Sequence, residues 1–482
     1  MSGRVLHKII YPMAIIFVLL ICIIPAIRSD AITHKVLENI ELVREDGEVF
    51  MIKAIHHSYG NNRYVSLRDM ACALAGTDKS IGVSMDSDRT LIVTGGNYEP
   101  VGGEGIEFEY KEYKTDGITV NPISIDERDC MYFSFAGTNS EGNRDLYISI
   151  TDLAMALNLD LHIDAAAGQL KLGSGDFHID FDEYVEQGLY DEVYSALVGD
   201  AVTGVIYTSF NEEVSVCAAS TTKLMTYLCV MDAVSAGEIT LEDDVVISAD
   251  VQALSKTSDG VIRMTEGQRV KLKDLLYAIL LPSSNEAALA LAEHIDGTEE
   301  TFVKRMNDKA GELYLSENTY FYNCHGLPEY SDTVAASKIQ NHITASDMFV
   351  LASHILNKYP EIRDITSVTE YRLEVFDTDI KNTNPLLYNL PGTIGLKTGT
   401  TKASGSSLVA AYDLKDESGT KTIVAIEYGA EDAATRNTVT EILMRYGIQS
   451  GRMSSFTVNE ESFPYTADAI IKRLIQIKSR QR

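Results

Sequence analysis

The stretch Ala219-Ser220-Thr221-Thr222-Lys223-Leu224-Met225-Thr226-Tyr227-Leu228 places a hydroxyl three residues ahead of an amine, at the mouth of an apolar run. Positions i and i+3 share a helix face, so Ser220 and Lys223 can come within hydrogen-bond reach. The apolar pattern predicts a helix over 220–236, with Gly237 as its C′ residue. At the start of such a helix, free backbone N–H groups and the positive dipole end favour an oxyanion. Lys223 follows an uncharged turn and precedes Leu224-Met225, a setting that desolvates the amine and lowers its pKa. A neutral amine there can take the serine proton. The stretch therefore predicts Ser220 as a nucleophile with Lys223 as its base.

Alone, the spacing proves little, because Ser418-Gly419-Thr420-Lys421 also fits. That second match falls in a polar turn between two predicted strands, where nothing buries the lysine. Two further motifs follow the first in order. Ser283-Ser284-Asn285 comes after Pro282, between predicted helices at 272–281 and 285–295. Either Ser283 or Asn285 could simply cap the second helix. The chemical alternative gives Ser283 a proton relay towards a leaving amine and has Asn285 hold a substrate backbone. Ser316-Glu317-Asn318 repeats the S-x-N pattern without that setting. Lys397-Thr398-Gly399 occurs once, at the end of a predicted strand over 393–397. A cation and a hydroxyl on an edge strand can bind a terminal carboxylate, and Gly399 lets a substrate backbone approach.

Around these motifs the pattern reads as strands at 194–198 and 205–209, joined by a turn at 200–204. A meander at 393–397, 407–414 and 422–428 turns at 416–419, and a helix over 433–446 closes at Gly447. Strands at both ends with helices between imply one antiparallel sheet, completed by the first and last segments and flanked by helices.

The whole chain has 482 residues, enough for two or three domains. Its formal charge of -29 (41 basic against 70 acidic residues) argues against nucleic-acid partners, whose phosphates call for clustered Lys and Arg. Arg4, His7 and Lys8 precede an apolar core from Met13 to Ile24, followed by Ser29-Asp30-Ala31. Residues 1–31 are thus expected to be a secretory signal or an uncleaved anchor, placing the rest outside the cytoplasm. Cys72, Cys130, Cys217, Cys229 and Cys324 are scattered without C-x-x-C spacing, so buried free thiols are expected rather than zinc ligands or a disulfide framework.

An internal repeat organises the first third. Tyr64-Val65-Ser66-Leu67-Arg68-Asp69-Met70-Ala71 matches Tyr147-Ile148-Ser149-Ile150-Thr151-Asp152-Leu153-Ala154, a strand running into a helix. Ser66 and Ser149 are expected N-caps, with Asp69 and Asp152 as return partners of capping boxes. Strands at 90–93 and 169–172 follow the two units. Residues 33–173 resemble the small α+β module named after the N-terminal region of copper amine oxidases. His56-His57 is the only close histidine pair and has no further ligand at spacing, so no metal is expected. Gly173-Ser174-Gly175 marks a joint. The expected division is a module at 32–175, a domain at 176–450 and a tail at 451–482.

The three motifs together, with Asp200-Ala201-Val202-Thr203-Gly204, Asn323-Cys324-His325-Gly326-Leu327-Pro328 and Gly395-Leu396-Lys397-Thr398-Gly399-Thr400, resemble the low-molecular-mass D-alanyl-D-alanine carboxypeptidases. The likeness runs from about Val193 to Gly447. It implies the penicillin-binding protein/β-lactamase-like α/β (α+β) fold with a helical subdomain, and no cofactor. It implies Ser220 as the acylated nucleophile, Lys223 as base and Ser283 as proton relay, with Asn285, Lys397, Thr398 and Gly399 along the substrate. The backbone N–H groups of Ser220 and Thr400 would form the oxyanion hole. His325 is expected to be structural. Cys324 stands where the family usually has Pro, and Asn382-Thr383-Asn384 lacks an Arg that some members place near the carboxylate.

The implied partners are stem peptides of peptidoglycan ending in D-Ala-D-Ala, and β-lactams as covalent inhibitors. A class A-like β-lactamase would need a Glu followed four residues later by Asn between the second and third motifs, and Glu300, Glu312, Glu317 and Glu329 all lack it. Endopeptidase or transpeptidase activity on peptidoglycan is a further alternative, and an inert wall-binding protein is the non-enzymatic one. Ala467, Ile470, Ile471, Leu474 and Ile475 fall on one face of a basic helical tail, which either lies on a membrane or docks on its own domain.

Overall fold

The computed structural model describes residues 35–453, apart from 58–62, 86–88, 102–103, 105–111, 114–118, 139–142, 165–167, 180, 187, 331–337 and 417–418. The expected signal segment and the basic amphipathic tail lie outside the described residues. Among those described, no helix is long and apolar enough to cross a membrane.

The front part is one sheet of eleven strands. They are β1 (Lys35–Arg44), β2 (Val49–His57), β3 (Arg63–Ser66), β4 (Ile81–Met85), β5 (Thr90–Thr94), β6 (Glu112–Tyr113), β7 (Thr119–Ile125), β8 (Arg128–Thr138), β9 (Arg144–Ser149), β10 (Leu161–Asp164) and β11 (Gln169–Leu172). The order is β10-β11-β1-β2-β3-β9-β8-β7-β5-β4, with β6 beside β1. The repeated strands pair with each other, Val65 opposite Ile148, so the two copies join at the centre of the sheet. Each runs into a short helix, α1 (Leu67–Leu74) and α2 (Ile150–Leu157), whose N-cap serine accepts from the aspartate N–H three residues on. The aspartate carboxylates are directed elsewhere than a capping box requires. Lys53 Nζ donates to Asp69 at 2.7 Å, and Thr438 Oγ1 donates to Asp152 at 2.9 Å. Tertiary partners outcompete the local return bond.

The helix α3 (Phe181–Glu186) leads to the second part, built on a five-stranded antiparallel sheet. Its strands are β12 (Ser195–Asp200), β13 (Val205–Phe210), β22 (Thr393–Thr401), β23 (Gly405–Asp416) and β24 (Gly419–Ala430). The order β13-β12-β24-β23-β22 makes the last motif's strand an edge. The β12–β13 turn is fixed by the Asp200 carboxylate, which accepts from Val202 N–H and the Thr203 hydroxyl, and by Gly204 at φ 71°. Between β13 and β22 lie β14 (Val216–Cys217), α4 (Lys223–Ser235), α5 (Ala249–Ser255), α6 (Leu272–Leu280), α7 (Asn285–Asp296), α8 (Glu299–Glu312), β19 (His342–Ile343), α9 (Ala345–Lys358), α10 (Ile362–Thr366) and α11 (Leu386–Asn389). Three two-stranded ribbons accompany them, β15 (Asp244–Val246) with β16 (Arg269–Lys271), β17 (Glu329–Tyr330) with β18 (Lys338–Ile339), and β20 (Glu370–Leu373) with β21 (Thr378–Lys381).

Alternation along the central strands serves two layers. Leu197, Val424, Ile426 and Tyr428 pack towards the helical layer, and Val198, Ala425 and Leu408 pack against α12 (Ala433–Met453). The predicted stop of this helix at Gly447 is incorrect, because α12 runs on to Met453. A Cβ on Gly447 would meet Val198 and Ile423 side chains at 2.6 Å, so this glycine lets helix and sheet approach and does not cap. Residues Lys223 to Met231 of α4 are buried on every face. A helix that is apolar all round sits at the centre of its domain, and here it carries the Lys223 amine inside with it.

Candidate active site

The residues preceding α4 form a 3₁₀ turn, Ala219–Thr222, so Ser220 lies one turn before the α-helix rather than in its first turn as the periodicity suggested. Ala219 takes a left-handed conformation, φ 45°, which thrusts Ser220 out of the regular backbone path. The expected contact is present: Lys223 Nζ stands 3.2 Å from Ser220 Oγ. The same nitrogen donates to Asn285 Oδ1 and to the His325 carbonyl, both at 2.7 Å. A neutral amine has two N–H groups and one lone pair. Two carbonyl oxygens use the hydrogens and leave the lone pair for the Ser220 O–H. Burial, only partly offset by Cys324 and Glu286, pushes Lys223 down to about 7.

The helix break at Pro282 resolves which serine caps. Ser284 is the N-cap of α7, accepting from Ala287 N–H at 3.1 Å. That leaves Ser283, held at φ 70°, with its Oγ enclosed and without a hydrogen-bond partner. Asn285, the first residue of α7, spans the site: its Oδ1 takes Lys223 and its Nδ2 donates to the Asp259 carbonyl at 2.8 Å. Capping thus falls to Ser284 and not to Ser283 or Asn285.

On the opposite wall, Lys397 is 1% exposed on β22, and its Nζ donates to the Thr398 carbonyl at 2.9 Å. Burial first, then the nearby Lys223 and Arg436, hold this amine well below the usual lysine range. A carboxylate arriving beside it would raise it again. A Cβ at Gly399 would lie 3.3 Å from Ala219 Cβ and Thr221 N, so the third motif's backbone passes directly over the Ser220 turn. Gly326 is tighter still: a Cβ there would sit 1.9 Å from the Ala219 carbonyl, and its φ of 89° suits only glycine comfortably. Thr400 follows on the exposed side of the strand end. The arrangement can deprotonate a serine, stabilise an oxyanion and anchor an anionic terminus.

The decoys are absorbed by structure. Ser316 Oγ donates to Asp347 at 2.5 Å. Ser418 lies outside the described residues, and Lys421, expected to be unburied, is buried on β24, where its Nζ donates to the Gly451 carbonyl at 2.5 Å. His325 is buried, with Nδ1 accepting from Leu327 N–H, Nε2 3.6 Å from the Glu299 carboxylate, and burial pushing it down to about 3. What sequence reading missed is its backbone: the carbonyl that holds Lys223 has no side-chain signature. Asn341 was also missed. It donates to Thr222 Oγ1 and the Asn323 carbonyl, tying the loop carrying His325 to the turn carrying Ser220.

A family model described as D-alanyl-D-alanine carboxypeptidase matches residues 190–425. The chain is 34% identical over 260 residues to D-alanyl-D-alanine carboxypeptidase DacF of Bacillus subtilis, covering 53% of this chain and 62% of that one. It is 33% identical over 256 residues to D-alanyl-D-alanine carboxypeptidase DacD of Escherichia coli, covering 52% and 62%. Its match thus spans less than two thirds of the length of these relatives. Among solved structures, penicillin binding protein 6B from Escherichia coli is similar at 31% identity and a TM-score of 0.48, covering 54% of this chain and 78% of that one. All three motifs fall inside the matched segment, residues 190–425, which is similar to the D-alanyl-D-alanine carboxypeptidase family.

Proposed function

We propose that this protein is a serine D-alanyl-D-alanine carboxypeptidase acting on peptidoglycan stem peptides outside the cytoplasm. One observation carries the reading: a fully buried lysine amine, pushed down to about 7, sits 3.2 Å from the Ser220 hydroxyl with both its hydrogens engaged by carbonyls. In the proposed reaction Lys223 takes the Ser220 proton as Oγ attacks the carbonyl of the penultimate D-alanine. The tetrahedral oxyanion is held by the N–H groups of Ser220 and Thr400. Ser283 passes a proton to the leaving D-alanine nitrogen and recovers it from the lysine side, as the peptide C–N bond breaks. Water then attacks the ester, giving its proton to Lys223, which returns it to Ser220 Oγ as the ester C–O bond breaks and the shortened peptide leaves.

Lys397 and Thr398 hold the terminal carboxylate, and Gly399 leaves room for the peptide backbone. The same geometry accepts a β-lactam, whose strained amide presents a carbonyl and a carboxylate in similar relation. The front sheet, whose repeat resembles the module found on exported proteins, acts as a spacer docked on α12 and α11. The division proposed is 32–175 for this module and 176–450 for the enzyme.

The test uses the protein from residue 32 onward with a peptide ending in D-Ala-D-Ala, assaying free D-alanine and mapping a labelled penicillin adduct by mass. D-Alanine release with the adduct on Ser220 supports the assignment. Rapid hydrolysis of benzylpenicillin without peptide cleavage would favour a β-lactamase instead.

A further inference from the structure

The tripeptide Asn382-Thr383-Asn384 is built to display one side chain. Asn382, 7% exposed, donates through Nδ2 to the carbonyls of Thr366 and Val368 at 3.0 and 3.1 Å. Asn384, 1% exposed, donates to the Gly395 carbonyl at 2.8 Å, while its Oδ1 accepts from Leu386 N–H. The Asn384 N–H closes on Asn382 Oδ1. Two buried amides therefore fix the backbone on both sides, and Thr383 between them is exposed towards the cleft.

Thr383 touches both walls of the site. Its N–H and its hydroxyl reach the Leu281 carbonyl at 3.3 and 3.2 Å, two residues before Ser283. Its Oγ1 also lies 2.5 Å from Thr398 Oγ1 on β22. Each hydroxyl has one hydrogen to place. If Thr398 donates to Thr383, Thr383 can donate to Leu281, and both hydrogens have acceptors within the protein. If Thr383 donates to Thr398, the Thr398 hydrogen is released into the cleft. Rotation of two hydroxyls interconverts the two states without any change of charge.

Resting on the reading above, we infer that Thr383 is a positioning residue for recognition of the substrate's terminal carboxylate. In the empty site it accepts the Thr398 hydrogen. When a carboxylate arrives, Thr398 turns its hydrogen to the ligand and Thr383 supplies the replacement bond, polarising Thr398 as a donor. The clamp thus uses a chain of two neutral hydroxyls beside one cation, Lys397.

The test compares wild type, Thr383→Val and Thr383→Ser on a peptide ending in D-Ala-D-Ala and on the same peptide with its C-terminus amidated. Thr383→Val keeps the shape and removes the hydroxyl. It is expected to raise KM for the acid peptide about tenfold, as loss of support for one charge-assisted hydrogen bond implies, with kcat changed less than about twofold. Thr383→Ser should restore wild-type KM, and on the amide Thr383→Val should match wild type. An unchanged KM in Thr383→Val, or an equal loss on acid and amide, overturns the inference and leaves the carboxypeptidase reading intact. A wild type that neither releases D-alanine nor forms the Ser220 adduct overturns both.

Discussion

The Asp152 carboxyl of the front sheet accepts a hydrogen bond from Thr438 of α12, 2.9 Å away, and lies buried next to Glu441. Its counterpart in the first copy of the repeat, Asp69, is paired with Lys53. The strand position equivalent to Lys53 is occupied by Phe133 in the second copy. Without an internal cation, Asp152 becomes part of the junction. Asn389 adds to that junction by exchanging hydrogen bonds with the backbone of Met131 at 2.9 and 3.3 Å.

Burial, reinforced by Glu441, pushes Asp152 up to about 8. The ordinary value is near 3.8, so between these values the unfolded chain binds fewer protons than the folded one. This group's contribution is therefore complete below about 4 and is lost as pH rises through 8. Thermal unfolding should show a midpoint that falls over this window in wild type and falls less in Asp152→Asn, by about 2 °C or more. Parallel curves for the two proteins would contradict the placement of Asp152.

Gly447→Ala tests the packing of α12 against the sheet. In an exposed helix the change would stabilise by about 1 kcal/mol. Here the added methyl meets Val198 and Ile423 side chains at 2.6 Å. Overpacking should win and destabilise the domain by about 1–3 kcal/mol, read by denaturant unfolding. A gain in stability would show that helix and sheet can separate freely at this point.

Much of this architecture is legible in the sequence. Short β-rich runs bounded by turn residues gave β12, β13 and the closing meander, although β12 and most of β24 are buried on both faces. The motif lysines and serines converge because their helix and strand settings were readable around Pro282 and Gly399. What local pattern could not supply was choice between neighbours: Ser284, not Ser283, caps α7, since only the folded chain decides which hydroxyl meets Ala287 N–H. Gly447 looked like a helix end because a glycine needed for close approach has the same sequence signature as a cap. The His325 carbonyl is a backbone group, and Thr383 carries no chemistry of its own until β22 is placed beside it.

Asn285→Asp tests the electrostatics of the base. The replacement sets a carboxylate where Oδ1 now lies 2.7 Å from Lys223 Nζ. An opposite charge at that distance favours the ammonium form and should raise the lysine pKa by about one unit or more. The pH midpoint for acylation by a labelled penicillin should move up accordingly, while Asn285→Ala should slow acylation at every pH. An unmoved midpoint in Asn285→Asp would separate Lys223 from the titrating group.

The account depends on Lys223 being neutral when it meets Ser220. The most direct measurement is the rate of Ser220 acylation by a fluorescent penicillin as a function of pH. The account predicts a rise of about tenfold per pH unit below a midpoint near 7, then a plateau, with the rise absent and acylation lost in Lys223→Met. A rate that stays flat through pH 7 and climbs only near the ordinary lysine value of about 10.4, or one that survives Lys223→Met, would contradict it.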